Sequence, residues 1–103
     1  MAERLTLPKL RRTVMVIAGS LSEFRGMISD LSYNCRGSLI GHDRAVVDSV
    51  RYVYVASVDR LRGVRDVDFE FYGSWYRRRD IDELRAVAAN ILISEGRDVP
   101  WRE

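Results

Sequence analysis

Hydrophobic and polar residues alternate over residues 67–72, which read VDFEFY, and this alternation is typical of a half-buried β-strand. Gly73 and Ser74 follow the strand and predict a turn. A helix begins after Asp80, and its apolar residues recur at three- and four-residue spacing: Ile81, Leu84, Val87, Ala88 and Ile91. The segment therefore predicts a strand, a glycine turn and a helix of residues 81–93, which together make one βα unit.

A continuous apolar run at residues 13–18, which read TVMVIA, predicts a second strand. Because this run has no polar face, we expect it in the centre of a parallel sheet with cover on both faces. Ser20 and Glu23 have the spacing of a capping box, in which the two side chains satisfy the first backbone N–H groups of a helix. This helix is predicted to span residues 21–33.

The remaining strand is predicted at residues 50–56, which read VRYVYVA. Residues 35–49 show a weak pattern and are interpreted as a long crossover, in which Asp43 caps one or two helical turns over residues 45–47. Residues 57–63 predict one short helical turn. Only about ten residues lead from this strand to the next, which is near the lower limit for a parallel crossover. An antiparallel hairpin of these two strands is therefore the alternative.

Together these elements predict one α/β domain of 103 residues, with a three-stranded, mainly parallel sheet and flanking helices. The strand at residues 14–18 is expected between the other two. Residues 1–12 form a polar lead-in, and residues 97–103 form a tail that either frays or folds back by the indole of Trp101. Because a three-stranded sheet leaves two open edges, we expect a homodimer or larger assembly that uses an edge strand or the aromatic tail.

The composition is 47% hydrophobic and 31% charged, which is ordinary for a globular domain and excludes a disordered or membrane-spanning chain. No stretch resembles a signal peptide or a spanning helix, so a soluble cytoplasmic protein is expected. The single cysteine and histidine, Cys35 and His42, cannot supply a disulfide or a convincing metal site. His42 and Asp43 invite a catalytic interpretation, but adjacent loop residues usually point apart and no nucleophile accompanies them. Catalytic residues, metals and cofactors are not expected.

Sixteen of the seventeen basic residues are arginines, and only Lys9 is a lysine. A GC-rich genome explains this bias without any binding function, because arginine codons are GC-rich and lysine codons are not. The alternative is that guanidinium groups serve to bind phosphate or carboxylate groups. Because the net charge is only +2, the clustering of the arginines must decide between the two explanations.

Small residues follow all three predicted strands, at Gly19, Ser20, Ser57, Gly73 and Ser74. Parallel strands end at one carboxyl edge, where open α/β folds bind ligands and helix N-termini favour an anionic group. Arginine and aromatic residues beside this edge complete the predicted ligand-binding set: Arg60, Arg62, Trp75, Tyr76, Arg77 and Arg79. Guanidinium groups would hold phosphate oxygens, and an exposed aromatic ring would stack on a base. These residues predict a site for a nucleotide or other phosphorylated ligand.

A simpler interpretation of the same residues is structural. Tight βα turns require small residues in any case. Four acidic residues lie close enough in the sequence to neutralise the arginines in surface pairs, with Trp75 as a core or interface anchor: Asp59, Asp66, Asp80 and Asp82. Neither the dinucleotide-binding pattern G-x-G-x-x-G nor the P-loop pattern G-x-x-x-x-G-K-[ST] is present, so these two assignments have no support.

The run LRG at residues 61–63 and, after a short gap and a strand, the run YGSWYRRRDIDEL at residues 72–84 resemble small Rossmann-like proteins of unknown function encoded by tailed phages of high-GC bacteria. The resemblance covers about the second half of the chain, and VMVIAG at residues 14–19 agrees loosely. The crossover at residues 35–49 is longer than such proteins lead us to expect. The resemblance implies a small Rossmann-like three-layer fold and a viral or prophage origin, which also suits the arginine bias. It implies no functional residues.

Three classes of function follow from the sequence. The preferred class is non-catalytic binding of a nucleotide or other phosphorylated ligand at the carboxyl edge of the sheet. The second is a host-directed interaction protein, an inhibitor or adaptor, that docks on a host protein through Trp75, Tyr76 and Trp101, since aromatic and arginine residues dominate binding hot spots. A small enzyme ranks last, because no base or nucleophile is positioned.

Overall fold

The computed structural model describes residues 10–35 and 37–101. Its strands are β1 (Arg12–Ala18), β2 (Leu39–Ile40), β3 (Arg44–Val47), β4 (Val50–Tyr54) and β5 (Val67–Tyr72), and its helices are α1 (Leu21–Ser32) and α2 (Ile81–Ser94). Short 3₁₀ turns follow β4 (Val58–Leu61) and β5 (Trp75–Arg77). The predicted α/β class is therefore confirmed. Most of the predicted lead-in lies outside the described residues.

The five strands form one mixed sheet in the order β2-β3-β4-β1-β5. β1 lies between β4 and β5 and is parallel to both, with Val14 opposite Tyr52 on one side and Asp68 on the other. The predicted central position of this strand is confirmed. The alternative hairpin is wrong, because β1 separates the two strands that it would have paired. Residues 14–18 are all buried, which requires strands on both edges and cover on both faces.

The sheet has five strands and not the predicted three, because the segment interpreted as a crossover contains β2 and β3. Asp43 does not cap a helical turn, since residues 45–47 lie in β3 and pair antiparallel to β4. Asp48 and Ser49 connect the two strands with φ angles of 54° and 67°. Two successive residues with positive φ are what a tight type I′ hairpin turn requires. The sheet is consequently mixed, with a parallel core and an antiparallel extension.

Alternating burial explains why the residues of β3 form a strand rather than helical turns. Ala45 and Val47 are each 3% exposed and belong to the core on the α1 side of the sheet. Arg44 and Val46 stand on the opposite face, as the two-residue period of a strand dictates. One face of β3 thus completes the core, and the other faces away from it.

Two apolar cores lie on opposite faces of the sheet. The core on the α1 side joins even-numbered residues of β1 to the helix: Val14, Val16, Ala18, Phe24, Met27 and Ile28. The core on the α2 side joins odd-numbered residues of β1 to α2 and the turn after β4: Met15, Ile17, Val55, Leu61, Leu84 and Ala88. One helix on each face gives a three-layer arrangement in which β1 contributes to both cores.

The tail folds back onto the α2-side core. The ring centroid of Trp101 lies 5.0 Å from that of Phe71 and 6.1 Å from that of Phe69. Of the two alternatives left by the sequence for this indole, the structure shows folding back. Both rings meet Trp101 edge to face, a geometry that aromatic pairs favour.

Candidate functional site

The carboxyl ends of β1, β4 and β5 lie at one edge of the sheet, where the sequence predicts a ligand site. Two charged side chains of the protein itself bind the strand ends there. Glu23 joins the turns after β1 and β5 and lines a pocket of about 610 Å³ together with Tyr72 and Gly73. Arg78 joins the ends of β1 and β4.

The carboxylate of Glu23 joins the turn after β1 to the turn after β5. It accepts hydrogen bonds from the backbone N–H of Gly19 at 3.0 Å, from the backbone N–H of Ser74 at 3.0 Å and from the Ser74 hydroxyl at 2.9 Å. Ser20 caps α1 as predicted, because its hydroxyl accepts a hydrogen bond from the backbone N–H of Glu23 at 3.2 Å. In a capping box this carboxylate would accept a hydrogen bond from the backbone N–H of Ser20. Here it binds the backbone N–H groups of Gly19 and Ser74.

Two glycines make room for this carboxylate. A Cβ atom at Gly19 or at Gly73 would lie closer than 3.0 Å to oxygen atoms of Glu23. Gly73 also has a φ of +63°, which L side chains rarely adopt. Three of the small residues singled out in the sequence, Gly19, Gly73 and Ser74, therefore surround a carboxylate of the same chain.

The hydrogen bonds lower the pKa of Glu23 below its ordinary value of 4.5. The largest contribution to this lowered pKa comes from the backbone N–H of Ser74, followed by the Ser74 hydroxyl, and burial opposes them. Donors that bind the ionised form stabilise it relative to the protonated form. Glu23 is therefore a charged group under neutral conditions, and its charge is part of the fold.

Arg78 uses all five N–H donors of its guanidinium group. Three bonds go to carbonyl oxygens at the strand ends: Ala18 at 3.0 Å, Val55 at 2.7 Å and Ala56 at 2.9 Å. The other two form a fork on the carboxylate of Asp80, at 3.0 and 3.1 Å. The side chain is only 8% exposed, so this arginine ties β1 and β4 to the start of α2. Sequence reasoning could not separate Arg78 from its neighbours Arg77 and Arg79, because no local pattern distinguishes the three.

The predicted arginines divide into two pairs. Arg60 lies 2.6 Å from Asp43, and Arg62 lies 3.3 Å from Asp59, so acidic residues partly neutralise both. Arg77 and Arg79 are exposed and form no ion pair within residues 10–35 and 37–101. The first pair matches the structural interpretation of the arginines, whereas the second remains open to a ligand.

Of the predicted aromatic contacts, only Tyr76 is well exposed, at 60%. Trp75 packs 5.0 Å from the ring of Phe71 and belongs to the α2-side core, as does Trp101. The geometry therefore makes these two tryptophans structural residues and leaves Tyr76 as the exposed ring at this edge. Ser57 is half-buried, and its side chain does not cap the turn that follows it.

A second candidate surface lies on the extension of the sheet. We call it the β2 edge surface and define it by five residues: Leu39, Ile40, Arg44, Val46 and Arg51. Leu39 and Ile40 are 64% and 57% exposed on the edge strand. Cross-strand pairing places Leu39, Val46 and Arg51 in one row on the face away from α1. No residue of β2 or β3 belongs to the α2-side core, so among the described elements this face has no helix over it.

The β2 edge surface is concave, with a groove of about 470 Å³ lined by its five residues together with Gly41 and Ala45. The sequence patterns did not predict this surface, because residues 35–49 are interpreted as a long crossover with helical turns over residues 45–47. The signal that could have revealed it is the run VVDSVRYV at residues 46–53, in which two turn-forming residues separate two β-branched segments.

Among residues 10–35 and 37–101, no three histidine, cysteine or carboxylate side chains lie close enough together to hold a metal ion. The carboxylate of Asp43 is engaged by Arg60 and by Arg44. None of the helices in the described ranges has the length and apolar character needed to cross a membrane.

Comparisons with known proteins assign no family to this chain. Protein-family models, curated protein sequences and solved structures all gave no significant match. The resemblance to small phage proteins therefore stays a prediction.

Replacing Glu23 by glutamine is expected to destabilise the fold at neutral pH and to lose this effect in acid. Because the folded-state pKa is lowered, ionised Glu23 contributes stability above its ordinary pKa of 4.5, and the contribution disappears as the pH falls through the lower folded-state value. Urea unfolding of both proteins at neutral pH and at a pH below that value measures the change. The exposed Glu83→Gln is the matched control. A destabilisation by Glu23→Gln that is equal at both pH values would contradict the role of the charge.

Replacing Arg78 by lysine is expected to cost about 1–3 kcal/mol of unfolding free energy, because lysine cannot reproduce a planar five-donor fork and leaves buried carbonyls without donors. The control is Arg77→Lys on the neighbouring exposed residue, which should change stability by no more than about 0.5 kcal/mol. Urea unfolding followed by circular dichroism compares the two variants. Similar losses in both would show that Arg78 has no special structural role.

Proposed function

We propose that this protein is a non-catalytic interaction domain that docks onto another protein through the β2 edge surface. The observation that carries the proposal is the pair of adjacent aliphatic side chains, Leu39 and Ile40, which are more than half exposed on an edge strand. An edge strand presents unpaired backbone donors and acceptors, and exposed aliphatic side chains beside them favour association with another chain. Arg44 and Arg51 add the residue type that is most enriched, after the aromatic residues, at the centre of protein interfaces.

The hydrogen bonds at the carboxyl edge of the sheet also favour docking through the β2 edge surface. Ligands of open α/β folds enter crevices between the strand ends. Here Glu23 engages the backbone donors of the turns after β1 and β5, and Arg78 spans the ends of β1 and β4 with every donor engaged. The outer side of β2, by contrast, has no strand paired with it among the described residues. A docking function therefore requires no rearrangement of the parallel core.

The kind of partner depends on the phage origin that the sequence resemblance implies. The parallel strands with a helix on each face suit a Rossmann-like domain, and we propose this relationship together with the phage origin that the resemblance implies. In that case the partner is a protein of the bacterial host, and the domain acts as an inhibitor or adaptor in the host cytoplasm. Self-association of the domain, expected from its open sheet edges, is the competing use of the same surface.

A phosphorylated ligand at the carboxyl edge is the second candidate function. The observation that favours it is the set of three donors that converge on the Glu23 carboxylate, since the same donors suit a phosphate. Arg77 and Arg79, which are exposed at the same edge, would add guanidinium contacts. This function requires the ligand to displace Glu23 or to bind outside it.

Docking through the β2 edge surface is tested by a photo-crosslinking amino acid placed at Leu39, with Tyr33 as the control. Tyr33 is 83% exposed, but it lies beyond the end of α1 and outside the β2 edge surface. We expect position 39 to crosslink to one discrete protein and position 33 to give no such product. The purified partner should then bind the Leu39→Asp variant at least tenfold more weakly than the wild type, with the Tyr33→Asp variant unaffected. Crosslinks that form at both positions would overturn the proposal, as would products that contain only this chain.

Phosphorylated-ligand binding is tested by thermal shift with nucleotides and inorganic phosphate. A ligand that binds only the folded state raises the melting temperature. If the second candidate holds, Glu23→Ala should respond more strongly than the wild type, because its donors are open, and the double variant Arg77→Glu, Arg79→Glu should lose the response. The absence of any shift in the wild type and in Glu23→Ala would remove this candidate.

A further inference from the structure

We propose that the β2 edge accepts an extended segment of the partner protein as a sixth strand and selects a carboxylate opposite Gly41, next to aliphatic residues. This inference rests on the proposed docking function and names the chemistry of its partner. Strand addition at a sheet edge takes its affinity from backbone hydrogen bonds and its specificity from alternate side chains. Both elements can be assigned to particular residues of β2.

The backbone of β2 directs one residue outward. The N–H of Gly41 donates to the carbonyl of Arg44 at 2.8 Å, so Gly41 faces β3. Because inward and outward groups alternate along an antiparallel edge, the N–H and C=O of Ile40 point away from β3. β2 is the last strand of the sheet, so no other strand within residues 10–35 and 37–101 pairs with these two groups. Ile40 therefore offers the donor and acceptor pair that an added strand requires.

The side chains of β2 differ in the contacts that they offer to an added strand. Leu39 pairs with Val46 and stands on the face away from α1, whereas Ile40 pairs with buried Ala45 and stands on the α1 face. An added strand would meet an aliphatic side chain at each of these positions, on opposite faces of the sheet. Gly41 has no side chain to offer, so the next position is open.

Arg44 occupies this open position. It lies across from Gly41, and its Cγ would be 3.6 Å from a Cβ atom at that glycine, so its aliphatic stem lies beside the glycine backbone. A glycine at this place lets the side chain of Arg44 approach the outer edge of β2. The side chain of Arg44 is 60% exposed. A residue of an added strand opposite Gly41 would therefore meet the guanidinium group.

The charge of Arg44 is only weakly compensated within the domain. Its Nε lies 3.4 Å from Asp43, longer than the 2.7–2.9 Å of a strong charge-assisted bond. The other oxygen of Asp43 binds Arg60 at 2.6 Å. Arg51, two strands from the edge on the same face, adds positive potential, and no ion pair to it occurs in the described ranges. A carboxylate is the complementary group for this position.

The position of Arg44 beside Gly41 favours a foreign segment over a second copy of this chain. In a twofold antiparallel pairing centred on Ile40, each Gly41 would stand opposite Leu39 of the other copy. That arrangement places an aliphatic side chain, and no carboxylate, beside Arg44. A glutamate or aspartate followed by two aliphatic residues, in an extended segment, fits the edge better.

The test uses purified full-length protein and fluorescent peptides measured by anisotropy. The probe is an acetylated, amidated peptide containing Thr-Glu-Val-Val-Thr, and the comparison peptide carries glutamine in place of glutamate. A charge-assisted bond in place of a neutral one predicts about tenfold tighter binding of the glutamate peptide to the wild type. Arg44→Gln should abolish this difference, and Arg44→Glu should reverse the preference toward a lysine peptide. Arg25→Gln, at an exposed position on α1, is the control and should keep the wild-type preference.

A proline at position 40 tests the strand pairing itself. Proline is tolerated on an edge strand where the N–H faces away from the sheet, so Ile40→Pro removes the outward donor while β2 keeps its bonds to β3. We expect this variant to fold, as judged by circular dichroism, and to lose peptide binding, whereas Ile40→Val should retain it. Should Ile40→Pro fail to fold, the Arg44 series still decides the outcome.

Three results would overturn the inference. These are equal binding of the glutamate and glutamine peptides to the wild type, no saturable binding of either peptide, and a dimer seen by light scattering that Ile40→Pro dissociates. The last result would assign the edge to a second copy. If the peptides fail while position 39 still crosslinks to a discrete partner, the docking function stands and only the added strand is excluded. If both experiments fail, the docking function fails as well.

Discussion

The parallel core depends on how the carboxyl end of β1 is hydrogen-bonded. Ala18, the last residue of this strand, is fully buried, so the backbone groups around it need partners within the protein. Arg78 donates to the carbonyl of Ala18, and Glu23 accepts from the N–H of Gly19. Each of the two also binds a neighbouring strand end, Arg78 at β4 and Glu23 at the turn after β5. Two side chains of opposite charge thus hold three strands together at one edge.

Arginine has a comparable structural role at the other end of the sheet. Arg97, just after α2, donates to the carbonyl of Val67 at 2.7 Å and pairs with Asp68 at 2.5 Å and with Glu95 at 3.1 Å. Glu95 in turn accepts a hydrogen bond from the N–H of Asp66 at 2.8 Å. The planar guanidinium group suits such shared positions, because its donors reach carbonyl and carboxylate oxygens together. Part of the arginine-rich composition therefore has a structural role.

In the proposed function, stability and binding depend on different parts of the sheet. The parallel strands β4, β1 and β5 lie between the two cores, and the charged side chains close their ends. The antiparallel extension contributes Ala45 and Val47 to one core, whereas both residues of β2 are exposed. Substitutions in β2 are therefore expected to cost little stability. A surface of this kind can change its sequence to suit a partner without unfolding the domain.

The sequence predicts the parallel core through local patterns, namely the apolar run of β1, the alternation of β5 and the three- and four-residue spacing of both helices, and each predicted element is observed. It also placed Ser20 as the cap of α1 and the small residues at the strand ends. The contacts of Glu23 and Arg78 at those ends are visible only in the folded chain, because their partners lie 51 and 60 residues away. The fold likewise shows that residues 44–47 form a strand, although the run VVDSVRYV at residues 46–53 carries a local hairpin signal. Contacts between residues distant in sequence leave no periodic pattern, so the sequence could not predict that a carboxylate and a guanidinium group of the same chain bind the strand ends at this edge.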